Sequence, residues 1–296
     1  MKKITFLIVL LTIFVSLNAQ NYEDEFKEYF VQKDTLNMRK TLQNWEKAKP
    51  MESELFTSYL DYYFLIAHDE IQSLENIQPD GELIKPESSE KIAEYIAGHM
   101  SIRKPILSKG IRKIDEGINL YPDRLDMRFG EIFVLSQAKE WAVFTRKIIE
   151  AIDQSVKNKH KWRWTHNEKA DDAENLFFST LQDYQILLHN YQEDKLLIYM
   201  KEIATEVLKF YPDQVESLSN LSIVYMTNNQ VDKAIEVLLR AETITRKDFI
   251  ILSCLAYAYQ QKGDKAKAIE YYQKTVRYGD NDSKRKAKEQ IRELKK

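Results

Sequence analysis

The 296-residue chain contains a single cysteine, Cys254, and is poor in glycine and proline, with seven and six residues. One cysteine excludes an intramolecular disulfide, so packing alone has to hold the fold. Cys254 stands between Leu252 and Leu255 in an apolar stretch, which favours a packed or half-buried structural residue over a nucleophile. The glycines, at positions 81, 98, 110, 117, 130, 263 and 279, are too dispersed to form a phosphate-binding loop.

Recognisable catalytic motifs are also absent. The sequence has neither a His-Glu-x-x-His helix nor a Gly-x-Ser-x-Gly turn. Among the five histidines only His160 and His166 stand near one another, followed by Asp171, Asp172 and Glu174. Imidazole and carboxylate groups can share a metal ion, but this spacing matches no established ligand pattern. A polar loop leading into a helix is the favoured interpretation, with Asp171 and Asp172 near the positive end of that helix. We therefore expect no enzyme, no metal and no cofactor.

The chain has one long apolar run and no excess of basic charge. Residues 4–15 form the run, Lys2 and Lys3 precede it, and a small residue, Ala19, follows. Because a membrane-spanning helix needs roughly 20 apolar residues, residues 1–19 are predicted to be a cleaved signal peptide, with an uncleaved anchor as the alternative. Their removal takes the formal net charge from −2 to −4. We expect an exported protein, periplasmic or secreted, without nucleic-acid partners or stable membrane insertion.

The last third of the chain repeats at a spacing of 34 residues. Leu218, Ser219, Leu221, Tyr225, Lys233, Ala234, Ile235 and Glu236 recur as Leu252, Ser253, Leu255, Tyr259, Lys267, Ala268, Ile269 and Glu270. A fixed period of this length is typical of stacked-repeat proteins. Such proteins present an extended binding surface more often than an enclosed reaction pocket.

Each copy has the pattern of two antiparallel helices. The first copy carries two apolar stripes at helical spacing, Leu218, Leu221 and Tyr225, then Ala234, Leu238 and Ala241. Asn229 and Gly263 occupy equivalent positions between the helices of the two copies. Both residue types tolerate the left-handed conformation that ends a helix. Small residues at Ala234 and Ala268 are expected to allow close approach of the helix axes.

This arrangement resembles the tetratricopeptide repeat, in which a small residue follows the first-helix leucine, an aromatic residue comes next and alanines mark the second helix. The resemblance is clearest over residues 215–248 and 249–282. Upstream, the Tyr-Pro-Asp segments at 121–123 and 211–213 are similar to the family's proline-containing turn. With its leader, the chain resembles an exported bacterial member of the family.

The resemblance implies an all-α superhelical solenoid of about six or seven helical hairpins, formed by residues 20–296 as one domain. Residues 77–89 and 154–174 interrupt the phase of the pattern and are predicted to be irregular insertions. Ala287, Ile291 and Leu294 fall on one face of a charged C-terminal stretch. This stretch is predicted to be a solvating cap helix, with a basic docking tail as the alternative.

Tetratricopeptide proteins commonly bind peptides along the concave side formed by their first helices. The resemblance implies that this side includes Ser219, Ile223, Met226, Ser253 and Tyr257. These residues carry no charge, so a neutral or partly apolar ligand suits them better than an acidic tail does. We therefore expect a non-catalytic scaffold or adaptor that binds a protein or peptide. The alternatives are a glycan- or small-molecule-binding protein of the cell envelope and an enzyme that uses residues 154–174.

Trp162 and Trp164 are two of the four tryptophans, and Arg163 separates them. In an extended loop, residues at i and i+2 point the same way, so the two rings could form a ligand-binding platform beside a guanidinium. The other interpretation, which is the commoner outcome in long loops, is that one or both rings fold back onto helices and hold the insertion in place. The exposure of the rings distinguishes these interpretations.

Overall fold

The computed structural model describes residues 21–68 and 102–296 of the chain. Its helices are α1 (Tyr22–Val31), α2 (Thr35–Ala48), α3 (Ser53–Ala67), α4 (Lys104–Leu120), α5 (Leu125–Gln137), α6 (Trp141–Asn158), α7 (Ala173–Asn190), α8 (Leu197–Phe210), α9 (Val215–Thr227), α10 (Val231–Ile244), α11 (Phe249–Lys262), α12 (Lys265–Tyr278) and α13 (Asn281–Leu294). Short 3-10 helices lie at Thr165–Asn167 and Asp194–Leu196. In these ranges the only β-type pairing consists of isolated bridges. The predicted leader, 1–19, and the predicted insertion at 77–89 lie outside the described residues.

The chain divides into two compact units. Unit 1 consists of Met1–Pro122 and Thr165–Asn167, and unit 2 consists of Asp123–Trp164 and Glu168–Lys296. In unit 1, α1 packs on α2 and α3 packs on α4; in unit 2, the pairs are α5 with α6, α7 with α8, α9 with α10 and α11 with α12. The prediction of an all-α fold of helical pairs is confirmed, with six pairs in the described part of the chain.

Unit 1 has an aromatic core and a close helix contact. The core consists of Phe26, Met38, Leu42, Trp45, Leu55, Tyr59 and Tyr62. On α4, a Cβ added to Gly117 would lie 2.7 Å from the Cβ of Phe56, and one added to Gly110 would lie 2.8 Å from the Cβ of Tyr63. Separations below about 3 Å do not occur between real side chains, so both glycines allow α3 and α4 to approach closely.

The 34-residue period is visible in the helix starts of unit 2. Helices α9 and α10 begin at Val215 and Val231, and α11 and α12 begin 34 residues later, at Phe249 and Lys265. The turns inside these pairs contain Asn229, with φ 57°, and Gly263, with φ 84°. Both residues are left-handed, as predicted from their types.

Aspartates define the starts of the last three helices. The carboxylate of Asp248 accepts a hydrogen bond from Ile250 N at 2.9 Å, and that of Asp264 accepts one from Lys267 N at 3.1 Å. Asp280 does the same for α13, where it accepts a hydrogen bond from Ser283 N at 2.7 Å. Each carboxylate satisfies an N–H that has no partner within the helix and lies near the positive end of the helix dipole.

The predicted alanine positions lie in the core of unit 2. Ala234 and Ala268 are fully buried, which allows the second helices to approach their neighbours closely. At the end of the chain, Ala287 is buried while Ile291 and Leu294 pack against the same core. The prediction of a cap helix with one apolar face is therefore confirmed for α13.

The second predicted insertion is shorter than its sequence suggested. Helix α6 continues to Asn158 and α7 begins at Ala173, so the irregular segment is 159–172 instead of 154–174. Residues 154–158 remain helical because their apolar and polar positions still match the helix period, and Ser155 is fully buried. Sequence alone could not separate the end of a helix from the loop that follows it.

Candidate functional site

The accessible sides of α9 and α11 carry the five residues that the resemblance to the tetratricopeptide repeat implied. Ser219, Ile223, Met226 and Ser253 are half-buried, and the Tyr257 ring is 51% exposed. In contrast, Leu221 and Leu255 on the opposite sides of these helices are buried. The helical period therefore separates a core side from an accessible side, as expected for neighbouring repeats.

A surface cavity of about 400 Å³ lies between the two clear repeats. We call it the inter-repeat cavity, and it is lined by Ser222, Ile223, Met226, Thr227, Asn229, Val231, Leu238, Ser253, Cys254, Tyr257 and Gln261. It brings together four of the predicted residues, Ile223, Met226, Ser253 and Tyr257. Ser219 is not among the lining residues.

Several residues that line the inter-repeat cavity were not predicted from the sequence. Cys254 is half-buried, in agreement with the prediction of a packed or half-buried residue, but its place in the wall of the cavity was not predicted. Its position three residues before Tyr257 places both residues on one helix face, a signal that the sequence contained. Val231 and Leu238 come from α10, and no repeat pattern of first helices indicates them.

The inter-repeat cavity is uncharged. None of its lining residues carries a formal charge at neutral pH. Burial raises the pKa of the Cys254 thiol to about 11, so this group is neutral and weakly nucleophilic. The hydroxyl groups of Ser222 and Thr227 donate to carbonyls of their own helix, Ser219 O at 2.7 Å and Ile223 O at 3.1 Å. The walls are mainly apolar, and their polar groups include the side-chain amides of Asn229 and Gln261.

A platform shared by Trp162 and Trp164 does not form, and Trp162 follows the other interpretation, in which the ring packs back onto a helix. Trp162 is 0% exposed and stacks on Phe177, with ring centroids 5.6 Å apart and an interplanar angle of 25°. The backbone explains this orientation, because Trp162 O accepts a hydrogen bond from Ala170 N at 3.0 Å and Arg163 N donates to Asp123 O at 2.8 Å. These bonds direct the Trp162 ring into the core, whereas Trp164 is 37% exposed. Trp162 therefore holds the insertion in place and cannot bind a ligand at the surface.

The two neighbouring histidines have different surroundings. In unit 2, the His160 ring packs against Phe177, Phe178 and Tyr211, with centroids 5.6, 5.4 and 5.2 Å away. Both ring nitrogens are buried without a hydrogen-bond partner among the described residues, and this burial lowers the pKa of His160. In unit 1, His166 N donates to Glu54 Oε1 at 2.6 Å.

A search of the described ranges finds no group of three or more His, Cys, Asp or Glu side chains that could hold a metal ion. Within the same ranges, no helix has the length and apolar character needed to cross a membrane.

Comparison with known proteins supports the repeat. Residues 255–278 match a family model of the tetratricopeptide repeat. No curated protein matches the chain. Among solved structures, the chain is similar to a MamA RS-1 ArsTM double mutant, with 10% identity, a TM-score of 0.29, and coverage of 87% of this chain and 92% of that chain. It is also similar to a chain of the APC/C hetero-tetramer Cut9–Hcn1, with 11% identity, a TM-score of 0.34, and coverage of 94% of this chain and 49% of that chain. The segment that matches the family model contains the C-terminal part of α11 and all of α12, which together form most of the second clear repeat.

Proposed function

We propose that this protein is a non-catalytic scaffold that binds a peptide or protein partner on the exposed sides of α9 and α11. The observation that carries the proposal is the inter-repeat cavity, where Ile223, Met226, Ser253 and Tyr257 meet. The resemblance to the tetratricopeptide repeat had implied these four residues before the structure was considered. Their convergence on one cavity makes it the best-supported binding site in the described part of the chain.

The chemistry of the inter-repeat cavity selects a neutral, apolar occupant. A volume of about 400 Å³ lies near the lower end of the range for sites that hold ligands or large side chains, about 300–1,000 Å³. A charged group entering it would lose its hydration without meeting an opposite charge, which is unfavourable. A partner segment with a leucine, methionine or phenylalanine at its centre fits these walls. Asn229 and Gln261 provide amide groups for its backbone.

Selection from a library of displayed peptides tests the proposal. Peptides that bind the wild-type protein are expected to share a large apolar residue and to lack charge next to it. Ile223→Glu places a carboxylate in the cavity and is expected to weaken these peptides at least about tenfold, equal to about 1.4 kcal/mol. Ile250→Glu is the matched control, because Ile250 is 56% exposed on α11 and does not line the cavity.

Equal loss of binding in the two variants would show that added charge, and not the cavity, is responsible. Selected peptides dominated by charged residues would contradict the proposed ligand class. Circular dichroism of both variants is expected to match the wild type, since neither position is fully buried.

The proposal includes export of the mature chain. Lys2, Lys3 and the apolar run at 4–15 have the character of a secretory leader. Sequencing the N-terminus of protein purified from the source cells is expected to begin at Gln20. An intact Met1 would overturn this part of the proposal and leave the binding proposal standing.

A further inference from the structure

The imidazole of His160 lies in an aromatic box in unit 2. The box consists of Phe177 and Phe178 on α7 and Tyr211 after α8, and their ring centroids lie 5.6, 5.4 and 5.2 Å from that of His160. The Tyr211 hydroxyl is already hydrogen-bonded to the Ser155 hydroxyl, 2.7 Å away. The box therefore surrounds the imidazole with ring carbon, which offers neither an acceptor for its N–H nor a donor for its other nitrogen.

Polar atoms without partners are concentrated around this box. Both ring nitrogens of His160, Oδ1 of Asn158 and Nε1 of Trp162 are buried and form no hydrogen bond with the described residues. A buried polar group without a partner has lost its hydration and gained nothing in return. These four atoms therefore oppose the closed arrangement of this part of the chain.

The backbone at residues 159–164, which we call the latch segment, adds a second penalty. Lys159 and His160 follow the end of α6 with left-handed backbones, with φ of 53° and 55°. This conformation crowds the Cβ of any residue other than glycine. Such strain persists only where packing holds it in place. Here the packing comes from the Trp162 ring, which is fully buried and stacks on Phe177.

Backbone hydrogen bonds attach the latch segment to the chain on both sides of it. Arg163 N donates to Asp123 O at 2.8 Å, and Arg163 O accepts a hydrogen bond from Leu125 N at 3.0 Å. Trp162 O accepts a further hydrogen bond from Ala170 N, also at 3.0 Å. The amides of Arg163, Leu125 and Ala170 therefore report whether the latch segment is in place.

A proton on His160 is poorly accommodated in the aromatic box. Glu174, in the first turn of α7, is the one charged group among the described residues whose field favours the imidazolium. Burial raises the pKa of Tyr211, so its hydroxyl stays neutral, and α6 contributes the neutral hydroxyl of Ser155. Aromatic faces attract a cation but accept no strong hydrogen bond from its two N–H groups. Burial outweighs Glu174, and the pKa of His160 is lowered.

We propose that His160 is the sensor of a proton-operated latch, in which its protonation releases the latch segment from α7 while the helical pairs of unit 2 stay folded. The imidazolium is more stable in water than in the aromatic box, so proton uptake favours the open arrangement. Opening also relieves the left-handed backbone and hydrates the four unpaired polar atoms. The core formed by α9 to α13 contains no residue of the latch segment, so it keeps its packing.

Hydrogen exchange of the full mature chain tests the latch. It is followed by mass spectrometry at about pH 7.5 and about pH 5.5 and corrected for the intrinsic pH dependence of exchange. A solvated imidazole, with a pKa of 6.5, is about nine-tenths protonated at the lower pH. Protection at the amides of Leu125, Arg163 and Ala170 is therefore expected to fall several-fold, with about tenfold as the upper limit.

Peptides from α11 and α12 are the internal control and are expected to keep their protection within about twofold. Unchanged protection at the three reporter amides would overturn the latch. An equal fall in α11 and α12 would show unfolding of the whole unit and would overturn it as well.

Two variants that cannot titrate separate the sensor from the packing. His160→Phe keeps an aromatic ring in the box, and His160→Asn suits the left-handed backbone. In both, the fall in protection between the two pH values is expected to disappear, whatever the protection at about pH 7.5.

The matched control is His166→Gln, which is expected to retain the fall. The His166 ring lies 3.6 Å from the Glu23 carboxylate and 3.7 Å from that of Glu54, so its protonation brings opposite charges together. A fall that persists in both His160 variants, or that disappears in His166→Gln, would assign the pH response to another group and overturn the proposal.

Discussion

Replacing Trp162 by alanine tests the most specific packing feature of the insertion. Trp162 is fully buried in unit 2 and stacks on Phe177, whereas Trp164, two residues later, is 37% exposed. The two tryptophans therefore form an internal comparison within one short segment. We expect Trp162→Ala to destabilise the protein strongly and Trp164→Ala to have little effect.

The magnitude follows from two opposing contributions. Truncating a buried large aromatic side chain to alanine costs about 3–5 kcal/mol of unfolding free energy. The indole N–H of Trp162 is buried without an acceptor among the described residues, and removing such a group recovers roughly 1–3 kcal/mol. A net loss of about 2 kcal/mol is therefore expected for Trp162→Ala, the difference between the centres of the two ranges. Trp162→Phe retains a ring against Phe177 and removes the N–H, so its loss is expected to stay below about 1.5 kcal/mol.

Urea unfolding monitored by far-ultraviolet circular dichroism measures these differences, with Trp164→Ala expected to change stability by less than about 1 kcal/mol. The reasoning is refuted if Trp162→Ala and Trp164→Ala lose equal stability. Equal stability of Trp162→Phe and Trp162→Ala would also contradict the prediction, because then the aromatic ring that Phe retains against Phe177 contributes nothing.

Two further predictions concern the helix contacts and the buried histidine. Ala268→Trp and Ala234→Trp overpack fully buried positions and are expected to lower the stability measured in thermal melts by about 1–3 kcal/mol or more. The control is Ala266→Trp, which lies at an exposed position of α12, the helix of Ala268, and is expected to leave the melting temperature unchanged. Equal melts for the three variants would contradict the helix register. Burial lowers the pKa of His160 below its ordinary value of 6.5. The unfolded state therefore binds more protons, and the free energy of unfolding is expected to fall as the pH drops below about 6.5. Urea titrations at several pH values should show a smaller fall for His160→Phe than for His189→Gln, which changes an exposed histidine, and equal pH dependence in the two variants would exclude His160 as the cause.

Local patterns predicted the repeated part of the fold well. The 34-residue period requires that equivalent residues meet equivalent neighbours, so the stripes at Leu218 and Leu252 identified the core sides of α9 and α11. The turn residues Asn229 and Gly263 were predictable because few residue types adopt a left-handed backbone without cost. The resemblance to the tetratricopeptide repeat then implied that the other sides of the first helices bind a partner, which is why four residues of the inter-repeat cavity could be named in advance.

The insertion was less predictable because its order depends on distant partners. Extended-chain alternation suggested a platform shared by Trp162 and Trp164, but the backbone here pairs with Asp123 and Ala170 and the Trp162 ring is fully buried. Phe177, against which Trp162 packs, lies on the helix after the insertion. No periodic signal connects these residues.

Some interactions join residues that are far apart in the chain. In unit 1, the Glu46 carboxylate accepts hydrogen bonds from the Tyr59 hydroxyl and from Lys113 Nζ, both at 2.8 Å, and so connects α2, α3 and α4. In unit 2, Glu242 holds Tyr271 and Lys274 in the same way. These residue types are common on helix surfaces, so neither group stands out before the helices are packed.

The sequence by itself determined the helical class, the repeat period, the turn residues and the accessible sides of α9 and α11, because these depend on neighbours within one or two helical turns. Only the tertiary structure decided that Trp162 is buried and that Cys254 lines the inter-repeat cavity. Burial and cavity lining are properties of several chain segments at once. They arise when helices that are separate in sequence pack together, and local sequence patterns do not specify that packing.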